Sequence, residues 1–158
     1  MHRSATFSSN RNFRYSLVRA WDESLPALTW VLLNPSTANE QEDDPTIRRV
    51  IGLSRTWGYG SATVLNLYAR ACTCPTELHN NFTERERIGP RNNQHLAQLA
   101  APIVVAWGAH TYARERARKV LTLLPPALFC IGQNNDGSPK HPLYARRDVQ
   151  LTPFLYLQ

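Results

Sequence analysis

Two asparagines and two histidines stand where the chain could assemble chemistry. Asn34 follows the apolar run Ala27–Leu33 and precedes Pro35-Ser36-Thr37, while Asn66 ends Val64-Leu65-Asn66 just before Leu67-Tyr68. His110 follows Trp107-Gly108-Ala109, and His141 sits in Lys140-His141-Pro142-Leu143-Tyr144. A carboxamide both donates and accepts, so it can grip an amide-like edge such as that of a pyrimidine. An imidazole can donate to a developing oxyanion. Each residue also has a plainer use. Asn-Pro is a good turn opener. A buried Asn66 needs a specific partner, whether backbone or ligand. His141 also reads as a surface histidine in a Pro-rich turn, and His110 reads first as a helix cap.

The acidic cluster Asp43-Asp44-Pro45-Thr46 precedes a helical pattern. Asp44 is a good N-cap and its charge suits the helix dipole. Asp43 is left to serve as a general base or to orient an arginine. Cys72, Cys74 and Cys130 are an odd set, and C-x-C is shorter than the usual metal or redox spacing. No H-x-x-x-H pair joins the five histidines, so neither a metal nor a cofactor is expected. G-x-S-x-G, the P-loop and G-x-G-x-x-G are missing from the sequence, which removes support for the corresponding hydrolase, NTPase and dinucleotide readings. The sequon Asn81-Phe82-Thr83 reads as chance.

The elements that must position these residues alternate. Phe13–Trp21 reads as a half-buried strand at the N-terminal edge, with Phe13, Tyr15 and Leu17 on one side and Arg14, Ser16, Val18 and Arg19 set against them. Ala27–Leu33, Ala62–Leu67, Pro102–Trp107 and Ala127–Ile131 are short continuous apolar runs, as strands covered on both faces require. Between them, Pro45 to Trp57 reads as a helix buried through Ile47, Val50, Ile51 and Leu53 or Ser54. Pro90–Ala100 reads as a second helix and Thr111–Leu124 as an Arg-rich third; residues 69–90 read as irregular, and Val149–Leu157 as a returning edge strand. The expectation is one α/β domain over residues 1–158: a three-layer α/β/α fold around a four-stranded parallel sheet in the order 2-1-3-4. Ligands of such sheets bind beyond the carboxyl ends of the strands, and there the two asparagines and two histidines fall on one rim.

Lys plus Arg is 18 against 12 acidic residues, a net charge of +6, and all but Lys119 and Lys140 of the cations are Arg. Arg presents a planar fork suited to phosphate and base edges. Arg48, Arg49, Arg70, Arg146 and Arg147 lie near the expected rim. The excess permits a nucleic-acid partner, and codon preference in a GC-rich genome would also produce it. The longest apolar runs fall far short of the roughly 20 residues of a membrane span, and the polar start Met1-His2-Arg3-Ser4 carries no signal-peptide pattern. A cytoplasmic protein without a membrane partner is expected.

The order Leu33-Asn34-Pro35, Val64-Leu65-Asn66, Val105-Ala106-Trp107-Gly108-Ala109-His110 and His141-Pro142 resembles the uracil-DNA glycosylase superfamily. The fuller strings Leu33-Asn34-Pro35-Ser36-Thr37-Ala38, Asp43-Asp44-Pro45-Thr46-Ile47-Arg48-Arg49, Trp57-Gly58-Tyr59-Gly60 and His141-Pro142-Leu143-Tyr144 resemble domain of unknown function 1643 more closely. The glycosylase resemblance implies a base flipped from the stack into the rim pocket and cleavage of its N-glycosidic bond. It implies that Asn34 positions the water, that His141 stabilises the departing base, and that Asn66, with Tyr68, reads the base edge. Ser36 and Thr37 would hold a phosphate, and Leu143 or Tyr144 would wedge into the duplex. Lys140, Arg48, Arg49 and Arg146 would contact the strand. DNA is the implied partner, with RNA or a nucleotide as variants. A non-catalytic nucleic-acid or nucleotide binder keeping the same pocket is the alternative, and a nucleotide enzyme using Asp43 or Asp44 is a third reading.

Overall fold

The computed structural model describes residues 1–156. Its frame is one seven-stranded mixed sheet. The strands are β1 (His2–Phe7), β2 (Arg14–Ala20), β3 (Ala27–Leu32), β4 (Ser61–Asn66), β5 (Ile103–Val105), β6 (Leu128–Cys130) and β7 (Thr152–Pro153), in spatial order β1-β2-β4-β3-β5-β6-β7. The pairs β3–β4, β3–β5 and β5–β6 are parallel, and the flanking pairs β1–β2, β2–β4 and β6–β7 are antiparallel. The parallel core thus has the expected 2-1-3-4 order.

Side-chain alternation sorts the core onto two faces. Leu28, Trp30 and Leu32 of β3 join Ala62 and Val64 of β4 and Val104 of β5 in one cluster, while Val31, Leu65, Ile103 and Val105 belong to another. Helix α1 (Pro45–Thr56) covers the first face through Ile47, Val50, Ile51 and Leu53. The other face is covered by Leu78 of α2 (Pro75–Asn81), Leu96 of α4 (Asn92–Ala97), and Ala117 and Val120 of α5 (Arg114–Leu121). Period-2 strands without a polar face need this double cover.

Helix α1 begins where its sequence says it should. The Asp44 carboxylate accepts from Ile47 N–H at 2.9 Å and Pro45 takes the first helical position, where its missing N–H is harmless. Ser54 is buried in the apolar face because its Oγ accepts from the Trp30 indole N–H at 3.0 Å. Trp30 in turn stacks on Trp57, the C-cap, at 5.7 Å between ring centres.

Three expectations change. Residues 69–90 are not irregular: they hold α2 and α3 (Glu84–Ile88). Thr83, read only as part of a sequon, caps α3 in a reciprocal box with Glu86. The N-terminal edge strand is β1, a polar segment not read as a strand, and this moves β2 one place inward. Arg14 and Arg19 are consequently buried, not solvated. The returning edge strand shrinks to β7; Leu157, at the end of the expected segment, lies outside the described residues. No helix among the described residues is long and apolar enough to cross a membrane.

Candidate functional site

The strand order reverses between β3 and β5, since the chain leaves β3 toward β4 on one side and returns to β5 on the other. That point opens a crevice beyond the strand ends. A cleft of about 700 Å³ lies there, within the usual range for small-ligand sites. Leu33, Asn34 and Ser36 line it from the end of β3, with Asp44 and Thr46 at the head of α1. Cys72 and Thr73 come from the segment after β4, Gly108 and His110 from the end of β5, and Asn134, Lys140, His141, Leu143 and Tyr144 from the loop after β6.

Asn34 is oriented by its neighbours. Its Nδ2 donates to the Pro35 carbonyl at 2.9 Å and to the Cys72 carbonyl at 2.7 Å. Turning the amide over would set its oxygen against two carbonyl oxygens, so the Nδ2 position is fixed chemically. Both donors of the side chain are thereby used, and what Asn34 offers the cleft is an acceptor, Oδ1. Its turn role and its site role coexist.

His141 is the complementary group. Its Nδ1 accepts from Leu143 N–H at 3.2 Å. The neutral ring therefore carries its proton on Nε2 and is a donor there. Burial first, and then the nearby His110, push its pKa down to about 4, against the opposing pull of Asp44. Burial also lowers His110. Neither ring carries its charge readily in this cleft.

Gly108 lies beside both histidines, and its backbone conformation favours glycine. Its φ is +81°, and a Cβ there would lie 3.4 Å from His110 Nε2 and 3.6 Å from His141 Cβ. Its N–H donates to Pro139 O at 2.9 Å, closing the loop after β6 onto β5. His110 occupies the N-cap position of the 3-10 turn Thr111–Ala113, as expected, and its carbonyl accepts from Ala113 N–H at 3.0 Å, but its ring makes no capping hydrogen bond and stands 5.8 Å from the Tyr112 ring.

Asp44 is almost fully buried and both of its oxygens are engaged, Oδ1 by Ile47 N–H and Oδ2 by Ala38 N–H. Asp43 orients arginines: its Oδ1 accepts from Arg19 Nε at 2.7 Å and from Arg3 Nη1 at 2.9 Å. Arg19 also donates to the Asn39 and Glu42 carbonyls, and Arg14 donates to Ala38 O at 3.1 Å. These two arginines hold the acidic loop in place from behind. Sequence reading set both among the polar residues of the strand, whereas here Arg19 is held by the Asp43 carboxylate and two loop carbonyls, and Arg14 by Ala38 O and Asn66 Oδ1, with its buried Nε left unpaired. Burial lowers the Arg14 pKa to about 10, which leaves it charged at neutral pH.

The other expected residues divide. Ser36, Lys140, Leu143 and Tyr144 line the cleft, and Tyr144 is 88% exposed against 44% for Leu143. Thr37 is exposed beside Ser36 but outside the lining. Asn66 does not reach the cleft: it is 1% exposed, and its Oδ1 accepts from Arg14 Nη2 at 3.4 Å. Tyr68 is wholly buried, with its hydroxyl 3.2 Å from Glu84; burial and Glu84 raise its pKa. Arg49 is spent within the protein, donating to the Pro142 and Ala145 carbonyls and pinning the His141 loop to α1. Arg48 donates to Asp43 O at 2.8 Å and Arg146 pairs with Asp148 in solvent. Thr46, named with the acidic cluster, and Cys72, named with the cysteines, also line the cleft, as do Thr73 and Asn134, which were not singled out from sequence. Among the described residues no group of three or more His, Cys, Asp or Glu could hold a metal ion.

Comparison with known proteins gives one finding. No curated protein and no solved structure matches the chain. A family model described as "Protein of unknown function (DUF1643)" matches residues 14–143. That span takes in the cleft residues from Leu33 to Leu143, and the chain therefore belongs to the DUF1643 family.

Proposed function

We propose that the cleft receives a nucleobase presented by a nucleic-acid strand and that Asn34 and His141 promote hydrolysis of its N-glycosidic bond. The observation that carries this reading is the complementarity of the two groups: an acceptor, Asn34 Oδ1, and a neutral donor, His141 Nε2–H, on one cleft. Asn34 Oδ1 takes a hydrogen bond from a water and aims its lone pair at C1′. The C1′–N bond breaks as the water oxygen bonds to C1′. The electron pair of the broken bond leaves with the base, where the His141 N–H stabilises the charge. The water proton passes to solvent and the base recovers one. Asn34 cannot accept that proton, so the chemistry suits a base with a stable anion, such as a modified one. Leu143 and Tyr144, exposed at the rim, are placed to fill the stack that the base leaves. What supports a proposed likeness to glycosylases is the 2-1-3-4 order of the parallel core and the order of the motifs along the chain.

One observation favours a second reading, a binder without hydrolysis. Asp44 is the only carboxylate on the cleft wall among the described residues, and both of its oxygens are already bonded to backbone N–H groups. The experiment that separates the readings incubates the protein with single- and double-stranded oligonucleotides carrying different normal and modified bases, then cleaves with alkali. Strand scission at one base supports hydrolysis. Binding without scission selects the second reading, and neither result removes both.

A further inference from the structure

A second cavity, of about 310 Å³, adjoins the cleft and shares Gly108 and His110 with it. We propose that it is the subsite for the nucleotide next to the one in the cleft, so that the ligand is a single strand of at least two nucleotides and not a free base or nucleoside. This rests on the base-binding reading above.

The chemistry of the walls carries the proposal. Trp107, Phe154 and Tyr156 form an aromatic wall: Phe154 meets Trp107 edge-on at 6.1 Å and stacks on Tyr156 at 6.4 Å. The series runs outward from a buried ring to one that is 41% exposed. Stacking on such rings is how single strands are held without regard to sequence. A further wall of the same cavity carries Arg114 and Arg118, one turn apart on α5 and on the same helix face. Asp136 lies on this wall too, but Arg114 pairs with it at 3.4 Å and Ser138 donates to it. Arg118 has no acidic partner among the described residues, which leaves one net positive charge for a phosphate.

The wall that carries Tyr156 is held in place. Gln133 Nε2 donates to Leu155 O at 3.0 Å and its Oε1 accepts from Leu155 N–H at 3.1 Å. Phe154 N–H donates to Leu128 O at 2.9 Å. These bonds run through backbone and Gln133, so Tyr156 and Arg118 can be changed without removing them.

The test compares the affinity of a mixed-sequence single-stranded hexanucleotide with that of nucleoside 5′-monophosphates, by calorimetry, for the wild type, Tyr156→Ala, Arg118→Glu and the cleft variant His141→Ala. The hexanucleotide is expected to bind the wild type at least tenfold more tightly than any mononucleotide, and Tyr156→Ala and Arg118→Glu each to lower its affinity by about tenfold. Hexanucleotide binding that His141→Ala weakens but Tyr156→Ala and Arg118→Glu leave unchanged overturns the subsite and spares the cleft. Mononucleotides binding as tightly as the hexanucleotide would also overturn it. No binding of either probe overturns the subsite and the base-binding reading together.

Discussion

Asn34 and Cys72, 38 residues apart in the chain, are joined by a hydrogen bond of 2.7 Å from the Asn34 amide to the Cys72 carbonyl. Cys72 N–H answers by donating to Pro35 O at 2.9 Å. The loops that follow β3 and β4 are thereby fastened to each other, and the Asn34 oxygen is left for the cleft. Replacement by aspartate would set a carboxylate oxygen against two carbonyls. Asn34→Asp is therefore expected to lose about 1–3 kcal/mol of stability at neutral pH. The repulsion raises the folded-state pKa of the new carboxyl, so the loss shrinks as pH falls and the group protonates. Thermal unfolding of variant and wild type across acidic and neutral pH checks both the size and the sign.

His141 makes stability depend on pH in the opposite sense. In the unfolded chain an imidazole titrates near about 6.5, but in the folded protein burial and His110 hold His141 at about 4. Between these values the unfolded chain binds the extra proton, so acidification favours unfolding. The stability tied to the neutral ring is fully present above the unfolded value and is lost as pH falls toward the folded one. His141→Gln is expected to lose less Tm than the wild type when pH drops from about 7 to about 5. An equal loss in both proteins would show that the ring is not kept neutral by its site.

Arg49 and Arg146 should separate cleanly. Arg49 bonds two carbonyls of the turn that follows His141, whereas Arg146 pairs with Asp148 while both remain largely in solvent. Arg49→Ala is expected to speed hydrogen exchange at the Leu143 amide, which His141 otherwise accepts. Arg146→Ala is expected to leave exchange unchanged and to alter stability by less than about 0.5 kcal/mol.

The framework was legible because local chemistry and burial agree. Ala27–Leu33 is apolar throughout and β3 is covered on both faces; Asp44-Pro45 announces α1 and caps it. The short helices at 75–88 were hidden behind Pro75, Asn80 and Asn81, although the Thr83-to-Glu86 spacing was a readable capping box. For the site, the rim rule led to Asn34, His110 and His141, which share the cleft. Asn66 failed the same rule by facing Arg14 across the sheet. No local signal announces that arrangement, because it depends on β1 taking the edge and β2 pairing with β4.

The arginines behind the cleft offer a test of this tertiary reading. Arg19 is 1% exposed and binds Asp43 together with the Asn39 and Glu42 carbonyls. Arg19→Ala would strand those acceptors, although Arg3 remains on Asp43. A loss of about 3 kcal/mol is expected by chemical denaturation. A change under about 0.5 kcal/mol, the size ordinary for a surface site, would place Arg19 in solvent.

If Asn34 and His141 act in the transition state, they set the rate of single-turnover base release from the oligonucleotide that is cleaved in the alkali assay. Asn34→Ala and His141→Ala are expected to slow release by about 100-fold each, since one transition-state donor or positioned water is worth about 3 kcal/mol. Circular dichroism should show both variants folded. If instead Asn34→Ala melts the protein while its folded fraction releases base at the wild-type rate, Asn34 is a turn residue alone and the proposed chemistry fails.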